Sequence, residues 1–132
     1  MPTRIHHVGV AVADLDESIR VNKSALGAQL VHRATNEKEG LEAAFLRVGD
    51  GEIELMVALR DDSPVGKFIA KRGPGLHHVA YAVTDIEQAL ADARTSGLEL
   101  IDSEPRIGMH GTRIAFLHPK SVGGVLTELV EA

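Results

Sequence analysis

The sequence contains an internal repeat with an offset of 71 residues. Residues 5–15 (IHHVGVAVADL) align with residues 76–86 (LHHVAYAVTDI), and six of the eleven positions are identical. The same offset aligns residues 44–46 (AFL) with residues 115–117 (AFL), so the repeat runs through both halves of the chain. A duplication of this length is typical of a fold that places two copies of one supersecondary unit together.

Each copy is predicted to begin with a strand that leads into a helix. Runs of β-branched and small apolar residues predict strands over 4–13 and 75–83. Asp14 with Glu17, and Thr84 with Glu87, have the spacing of a capping box. We therefore expect helices near 15–26 and 85–96, which end at Gly27 and Gly97.

Three shorter strands are predicted after the helix of each copy. In the first copy we place them near 28–34, 41–48 and 52–59, and in the second near 98–102, 112–118 and 124–130. The chain of 132 residues is then one α+β domain made of two tandem βαβββ modules, at about 1–60 and 75–132. A linker at 61–74 joins the modules, and residues 65–71 could form a short helix in it.

The alternation of side chains along a strand separates two histidines from their neighbours. Val8, Val10 and Val12 share one face of the first strand, which suits packing against a helix, whereas His7 lies on the opposite face among small residues. His78 is its equivalent in the second copy. The last strands contribute Glu54 and Glu128, which are equivalent at an offset of 74 and lie opposite the apolar face.

Two equivalent histidines and two equivalent glutamates favour a metal site. A single strand histidine is usually a satisfied core residue, and a single strand glutamate usually lies on a solvated face. Four such groups on matching faces are costly to bury unless a cation or mutual pairing compensates them. Imidazole and carboxylate ligands suit a divalent metal, and four of them leave two octahedral positions for a chelating substrate.

The remaining histidines are assigned smaller roles. By strand alternation His6 and His77 point toward the helix layer, and we expect them to be structural or to support the ligands. His32 is expected on the surface, and His110 and His118 either on the surface or in a substrate pocket.

Composition excludes several classes of function. The formal net charge is −5, and the chain has three Phe, one Tyr and no Trp, which argues against nucleic-acid binding. No cysteine is present, so thiolate metal sites and cysteine nucleophiles are excluded. Without an apolar run long enough for a membrane helix, and without a signal-peptide pattern, we expect a cytoplasmic protein with no membrane partner.

Three stretches of the chain resemble the vicinal oxygen chelate superfamily, and within it the methylmalonyl-CoA epimerases. They are residues 53–56 (IELM), residues 62–71 leading to 75–78 (GLHH), and residues 104–120 (EPRIGMHGTRIAFLHPK) followed by 123–129 (GGVLTEL). The glyoxalase I family shares the ligand quartet. It usually has a short Asp-Pro-Asp-Gly turn before its last ligand, where this chain has His118-Pro119-Lys120 and a longer loop.

The resemblance implies a fold and an activity. It implies one curved eight-stranded mixed sheet around a metal cleft, a homodimer, and a divalent metal held by His7, Glu54, His78 and Glu128. Cobalt is favoured, with manganese, nickel or zinc as alternatives. The implied reaction interconverts (R)- and (S)-methylmalonyl-CoA by abstraction of the α-proton through a metal-stabilised enolate, with Glu128 as one of two acid–base residues. The resemblance identifies no substrate-binding residues.

The chain departs from the resembled pattern at two places. The second base of these enzymes maps to Ala43, and the adjacent Glu42 should face the other way unless a bulge turns the strand. Val21-Asn22 stands where many relatives have Phe-Tyr. Two alternatives therefore stay open: a glyoxalase I-like lactoylglutathione lyase, and a non-catalytic small-molecule binding protein of the same fold.

Overall fold

The computed structural model describes residues 1–132, which form three α-helices and one eight-stranded mixed sheet. Strands and helices alternate in the predicted order, with α2 in the linker between two βαβββ modules, and the α+β class is confirmed. The strands are ordered β2-β3-β4-β1-β5-β8-β7-β6 in the sheet. The elements are β1 (Arg4–Ala11), α1 (Leu15–Leu26), β2 (Gln29–Asn36), β3 (Leu41–Val48), β4 (Gly51–Ala58), α2 (Pro64–Arg72), β5 (Gly75–Val83), α3 (Ile86–Thr95), β6 (Arg106–Ile107), β7 (Arg113–Leu117) and β8 (Thr127–Glu131), with a 3₁₀ turn at Pro119–Ser121.

The chain divides into two compact units. One unit comprises Val8–His77, and the other comprises Met1–His7 together with His78–Ala132. We call them the central unit and the terminal unit. The module boundaries at about 1–60 and 75–132, with the linker at 61–74, stay a prediction.

In the central unit, α1 packs its apolar side against the sheet. Asp14 caps the helix, because its carboxylate accepts the backbone N–H of Glu17, and Gly27 ends it in a left-handed conformation with φ 66°. Both caps were predicted. Leu15 and Ile19, four residues apart, lie on one side of the helix. They belong to a core cluster with Val12, Ala28, Ala44, Leu46 and Leu55.

In the terminal unit, α3 packs in the same manner, but its cap differs from the prediction. The N-cap is Asp85, whose carboxylate accepts the backbone N–H of Gln88, and Thr84 lies one residue before it. The capping box Thr84–Glu87 was therefore wrong by one position. A carboxylate at the N-terminus of a helix also interacts favourably with the helix dipole, which favours Asp85 in this place. The helix covers a core cluster of Val83, Ile86, Leu90, Ala93, Ala115, Leu117 and Leu129.

The prediction of a strand at 98–102 was wrong. This segment contributes a single bridge, Leu100 to Leu117, and β6 occupies Arg106–Ile107 instead. The backbone N–H groups of Ile101 and Asp102 both donate to the carbonyl of Phe116, and the Asp102 side chain accepts the Phe116 N–H. In a regular ladder the Phe116 N–H would donate to a backbone carbonyl. Because the Asp102 side chain accepts it instead, the strand does not continue.

The helices are short and amphipathic. None of them combines the length and apolar character that a membrane span requires.

Candidate metal centre

The four predicted ligands are among the few polar side chains that the fold buries. His7 is 4% exposed, Glu54 5%, His78 2% and Glu128 5%. Ionisable side chains are rarely buried to this extent unless they are paired or bind a metal. Strand alternation placed all four on the face opposite the helices, and the structure shows that they are buried there.

The β5–β8 ladder positions Glu128 beside His78. The strands are parallel, and Glu128 is the direct partner of Ala80, which lies two residues after His78 and so on the same face. Ala80 is fully buried and contributes only a methyl group. This small side chain leaves space above the sheet for the imidazole and the carboxylate.

Three ligand atoms of the terminal unit converge. Nε2 of His7 lies 3.0 Å from Nε2 of His78 and 3.0 Å from Oε1 of Glu128, and Nε2 of His78 lies 3.4 Å from the same oxygen. Oε1 is buried yet accepts no hydrogen bond of good geometry. Two imidazole nitrogens and a carboxylate oxygen therefore crowd around one point.

The spacing of these atoms fits a divalent cation. Metal–nitrogen and metal–oxygen bonds in proteins are about 2.1 Å long, so two ligand atoms at right angles around one ion are about 3.0 Å apart. An unsatisfied buried carboxylate oxygen would be costly without such a partner. The residues present thus fit a divalent metal.

The electrostatics of Glu128 favour its ionised form. Burial raises the pKa of this carboxyl, but the imidazoles of His7 and His78 lower it by more, so that its pKa lies below the ordinary value. A carboxylate that is ionised can serve as a metal ligand or as a proton acceptor.

Glu54 is positioned by the β3–β4 ladder in the central unit. It is the direct partner of Phe45, and both side chains lie on the face opposite the core residues Ala44 and Leu55. At 5% exposure, Glu54 is the buried carboxylate that the central unit offers as a candidate metal ligand.

Glu42, the residue considered as a second base, has a different environment. It pairs with Val57, a residue that packs against the core beneath α1, and Ala43 pairs with Met56 on the Glu54 face. The Glu42 carboxylate bonds to Arg33 at 2.8 Å, and Arg33 also contacts Asp16 of α1. β3 continues its regular pairing with β4 on both sides of Glu42, so no bulge turns its side chain toward Glu54.

The other histidines divide as follows. Nδ1 of His6 lies 2.8 Å from Nδ1 of His7, and His110 packs edge-on against His6. His77 instead packs edge-on against Phe68 of α2. His32 is exposed on β2, as expected, and stacks on Phe45. His118 caps the 3₁₀ turn by accepting the N–H of Lys120.

Two phenylalanines beside the carboxylates were missed from the sequence. Phe116 is the direct partner of Glu128 and packs edge-on against His78, with the ring centroids 5.7 Å apart. Phe45 holds the same position opposite Glu54. The repeated Ala-Phe-Leu segment was the signal that could have identified them, because it aligns the two residues.

The fold and the site together define a class of proteins. Residues 6–116 match the family model of the glyoxalase/bleomycin resistance protein/dioxygenase superfamily, and the chain belongs to this superfamily.

Its relatives narrow the class further. The chain is 36% identical over 130 residues to the mitochondrial methylmalonyl-CoA epimerase of Homo sapiens, covering 98% of this chain and 74% of that protein. It is 35% identical over 128 residues to the ethylmalonyl-CoA/methylmalonyl-CoA epimerase of Cereibacter sphaeroides, covering 96% of each. A solved structure of a methylmalonyl-CoA epimerase in complex with methylmalonyl-CoA and NH4⁺ matches it with a TM-score of 0.93 and 40% identity, over 98% of this chain and 94% of that one.

Proposed function

We propose that this protein is a divalent-metal-dependent epimerase that interconverts (R)- and (S)-methylmalonyl-CoA. The observation that carries the proposal is the buried convergence of His7, His78 and Glu128, with contacts of 3.0–3.4 Å, in a chain similar to methylmalonyl-CoA epimerases along its whole length. The substrate is an acyl-CoA whose α-hydrogen lies between a thioester and a carboxylate.

We assign four metal ligands: His7, Glu54, His78 and Glu128. Two neutral imidazoles and two carboxylates neutralise a divalent charge, and a nitrogen and oxygen donor set suits cobalt, manganese, nickel or zinc. Cobalt is favoured by the resemblance to epimerases. When bound, the ion supplies Lewis-acid stabilisation of the charge that develops on the substrate oxygens.

Glu128 is proposed to move the proton. Its carboxylate is ionised, because its pKa lies below the ordinary range, and it is buried next to the site in which the substrate would lie. Phe116 is the direct partner of Glu128 and its ring contacts His78, so an apolar side chain borders this carboxylate. We assign no second base, because Ala43 has no titratable group and Glu42 is paired with Arg33 on the opposite face.

The test is exchange of the α-proton with solvent. Purified protein is loaded in turn with cobalt, manganese, nickel and zinc and incubated with (R)- or (S)-methylmalonyl-CoA in D₂O, and deuterium at the α-carbon and the ratio of epimers are measured. We expect exchange and epimerisation with at least one metal. Absence of both with all four metals would remove the proposal.

A pair of variants isolates the role of Glu128. Glu128→Gln keeps an oxygen ligand but loses the basic carboxylate, so exchange should fall by about 10²–10⁴-fold. Bound metal is measured in the same samples, so that loss of the ion is distinguished from loss of the base. Glu131→Gln makes the same chemical change three residues further along β8, where the side chain pairs with Arg113, and should leave exchange unchanged.

A parallel assay tests the two alternatives, a glyoxalase I-like lyase and a non-catalytic binding protein. A glyoxalase I-like enzyme would convert the hemithioacetal of glutathione and methylglyoxal, and this turnover without exchange in methylmalonyl-CoA would favour it. A binding protein would bind the acyl-CoA and catalyse neither reaction.

Homodimer formation and a cytoplasmic location also stay predictions. Light scattering on the purified protein tests whether it forms a homodimer.

A further inference from the structure

The His6 side chain contacts that of His7, the first of the proposed metal ligands. Nδ1 of His6 and Nδ1 of His7 are 2.8 Å apart, a hydrogen-bond distance between two ring nitrogens. Two lone pairs at this distance would repel, so one nitrogen has to carry a proton and donate it to the other. The contact therefore couples the protonation of the two rings.

The proton on His7 determines which of its nitrogens is available to a metal. A neutral imidazole carries one N–H, and only the other nitrogen has a lone pair for an ion. Nε2 of His7 is the atom that lies 3.0 Å from both Nε2 of His78 and Oε1 of Glu128. For Nε2 to be a ligand, the proton of His7 has to be on Nδ1.

We propose that His6 is a positioning residue that accepts the Nδ1–H of His7 and thereby fixes the tautomer in which Nε2 of His7 faces the metal centre. This inference rests on the proposed metal centre. Histidine ligands generally donate their second ring N–H to a neighbouring acceptor, which orients the ring and raises its basicity. Here the acceptor is the Nδ1 lone pair of an adjacent histidine.

A third histidine, His110, packs against the ring of His6 and lies close to that of His7, with the His7 and His110 ring centroids 6.3 Å apart. The contact of His110 with His6 is edge-on, with ring centroids 5.5 Å apart and planes at 79°. His6 is half-buried, so its ring has less freedom than that of an exposed histidine. The acceptor is thus held close to His7 before an ion arrives.

The repeat supplies a matched control. His77 holds the position equivalent to His6, directly before the equivalent ligand His78, but its ring packs edge-on against Phe68 with the centroids 4.9 Å apart. His77 thus has a ring contact with α2 in the position where His6 contacts His110. Replacing the two residues in the same way separates the proposed role from a general effect of losing a histidine beside a ligand.

The experiment compares zinc binding and tautomers in four full-length variants. His6→Phe keeps a ring but removes the acceptor, His6→Asn places an amide oxygen near the position of Nδ1, His6→Gln places its amide one bond further out, and His77→Phe is the control. Zinc affinity is measured by competition with a chromogenic chelator. The tautomer of His7 is determined in the zinc-loaded protein from ¹⁵N–¹H correlation spectra of the imidazoles.

We expect wild type to bind zinc with His7 protonated at Nδ1. Zinc affinity should fall by about 10–100-fold in His6→Phe and His6→Gln, while His6→Asn and His77→Phe stay close to wild type. If His6→Phe does not fold, the contrast between His6→Gln and His6→Asn gives the same test. Equal zinc affinity in all variants, or a His7 proton on Nε2 in the zinc-loaded wild type, would overturn the proposal.

Failure of the metal centre itself gives a different result. In that case wild type binds no zinc through His7 and His78, and the imidazole spectra do not change on adding the ion. That outcome would contradict both the metal-dependent function and the role of His6. Tight zinc binding that is unchanged by the His6 substitutions would contradict the role of His6 alone.

Discussion

Phe116 lies directly opposite Glu128 in the β7–β8 ladder, and its ring contacts His78 edge-on. The guanidinium carbon of Arg106 lies 5.5 Å from the centre of the same ring, which places a cation over an aromatic face. In the central unit Phe45 has the same relation to Glu54. The duplication has thus copied a carboxylate together with its aromatic neighbour.

Removal of the Phe116 ring should weaken the fold. Phe116 packs against the cluster of Ala80, Ile114 and Val130 and is half-buried. A fully buried Phe→Ala change costs about 3–5 kcal/mol, so we expect about 2 kcal/mol for Phe116→Ala. Phe116→Leu, which keeps most of the volume, should lose less. Urea unfolding measures the stability of both variants. Equal stability of Phe116→Ala and wild type would contradict the packing role.

Binding of a divalent metal should stabilise the protein against heat. A ligand at 100 times its dissociation constant stabilises the folded state by about 2.7 kcal/mol, which raises the Tm of a domain of this size by about 10 °C. Tm is measured after treatment with a chelator and again after addition of cobalt or zinc. His78→Ala removes one of the converging nitrogens and should abolish the shift. A shift of equal size in this variant would place the metal elsewhere.

Glu54 and Glu42 offer a comparison between two glutamates on neighbouring strands. Glu54 is buried on one face of β4, whereas Glu42 lies on the other face of the ladder and bonds to Arg33. Glu54→Gln should weaken metal binding by about 10-fold or more, since a charged ligand is lost. Glu42→Gln should leave metal binding and proton exchange unchanged. Loss of exchange in Glu42→Gln with its metal retained would identify Glu42 as the second base after all.

Much of this architecture follows from the repeat and from strand alternation. The offset of 71 residues predicts that each module begins with an equivalent strand. Strand alternation places His7 and Glu54 on the faces opposite those that pack against the helices. These are local rules of a regular strand, so they can be applied to sequence alone. The order βαβββ and the α+β class were confirmed for this reason.

The parts that were missed depend on contacts between distant segments. The strand at 98–102 is replaced by irregular bonding because Asp102 reaches across to the N–H of Phe116. His6 was assigned to the helix layer by alternation, yet its Nδ1 meets that of His7. Nδ1 is bonded to the carbon next to Cβ and so lies close to the backbone, where side chains of adjacent residues can still meet. The partner of Glu42 could not be predicted because Arg33 lies on another strand.

The corrected cap of α3 can be tested by two neighbouring substitutions. Asp85 accepts the N–H of Gln88 with its side chain, whereas Thr84 lies outside the helix and is exposed. Asp85→Ala should destabilise the protein by about 1 kcal/mol, and Thr84→Ala by less than about 0.5 kcal/mol. Urea unfolding at pH 7 distinguishes them. The reverse order would restore the capping box predicted from the sequence.

Stability should depend on pH through the pair of Glu131 and Arg113. The bidentate contact with Arg113 lowers the pKa of the Glu131 carboxyl, the N–H of Ile86 lowers it further, and desolvation opposes them. Because this pKa is lower in the folded chain than in the unfolded one, the pair stabilises the fold above the unfolded value of about 4.3. This contribution is lost as the pH falls through the folded pKa.

Glu131→Gln isolates that contribution from the other carboxylates. The amide oxygen can still accept the Ile86 N–H, so the variant mainly removes the charge that faces Arg113. We expect the variant to be less stable than wild type at pH 7, and the difference to shrink as the pH is lowered toward about 3. Titration of other groups, Glu128 included, occurs in both proteins and cancels in the comparison. Urea unfolding of both proteins across this range measures the difference, and a difference that stays constant with pH would show that the charge of Glu131 does not stabilise the fold.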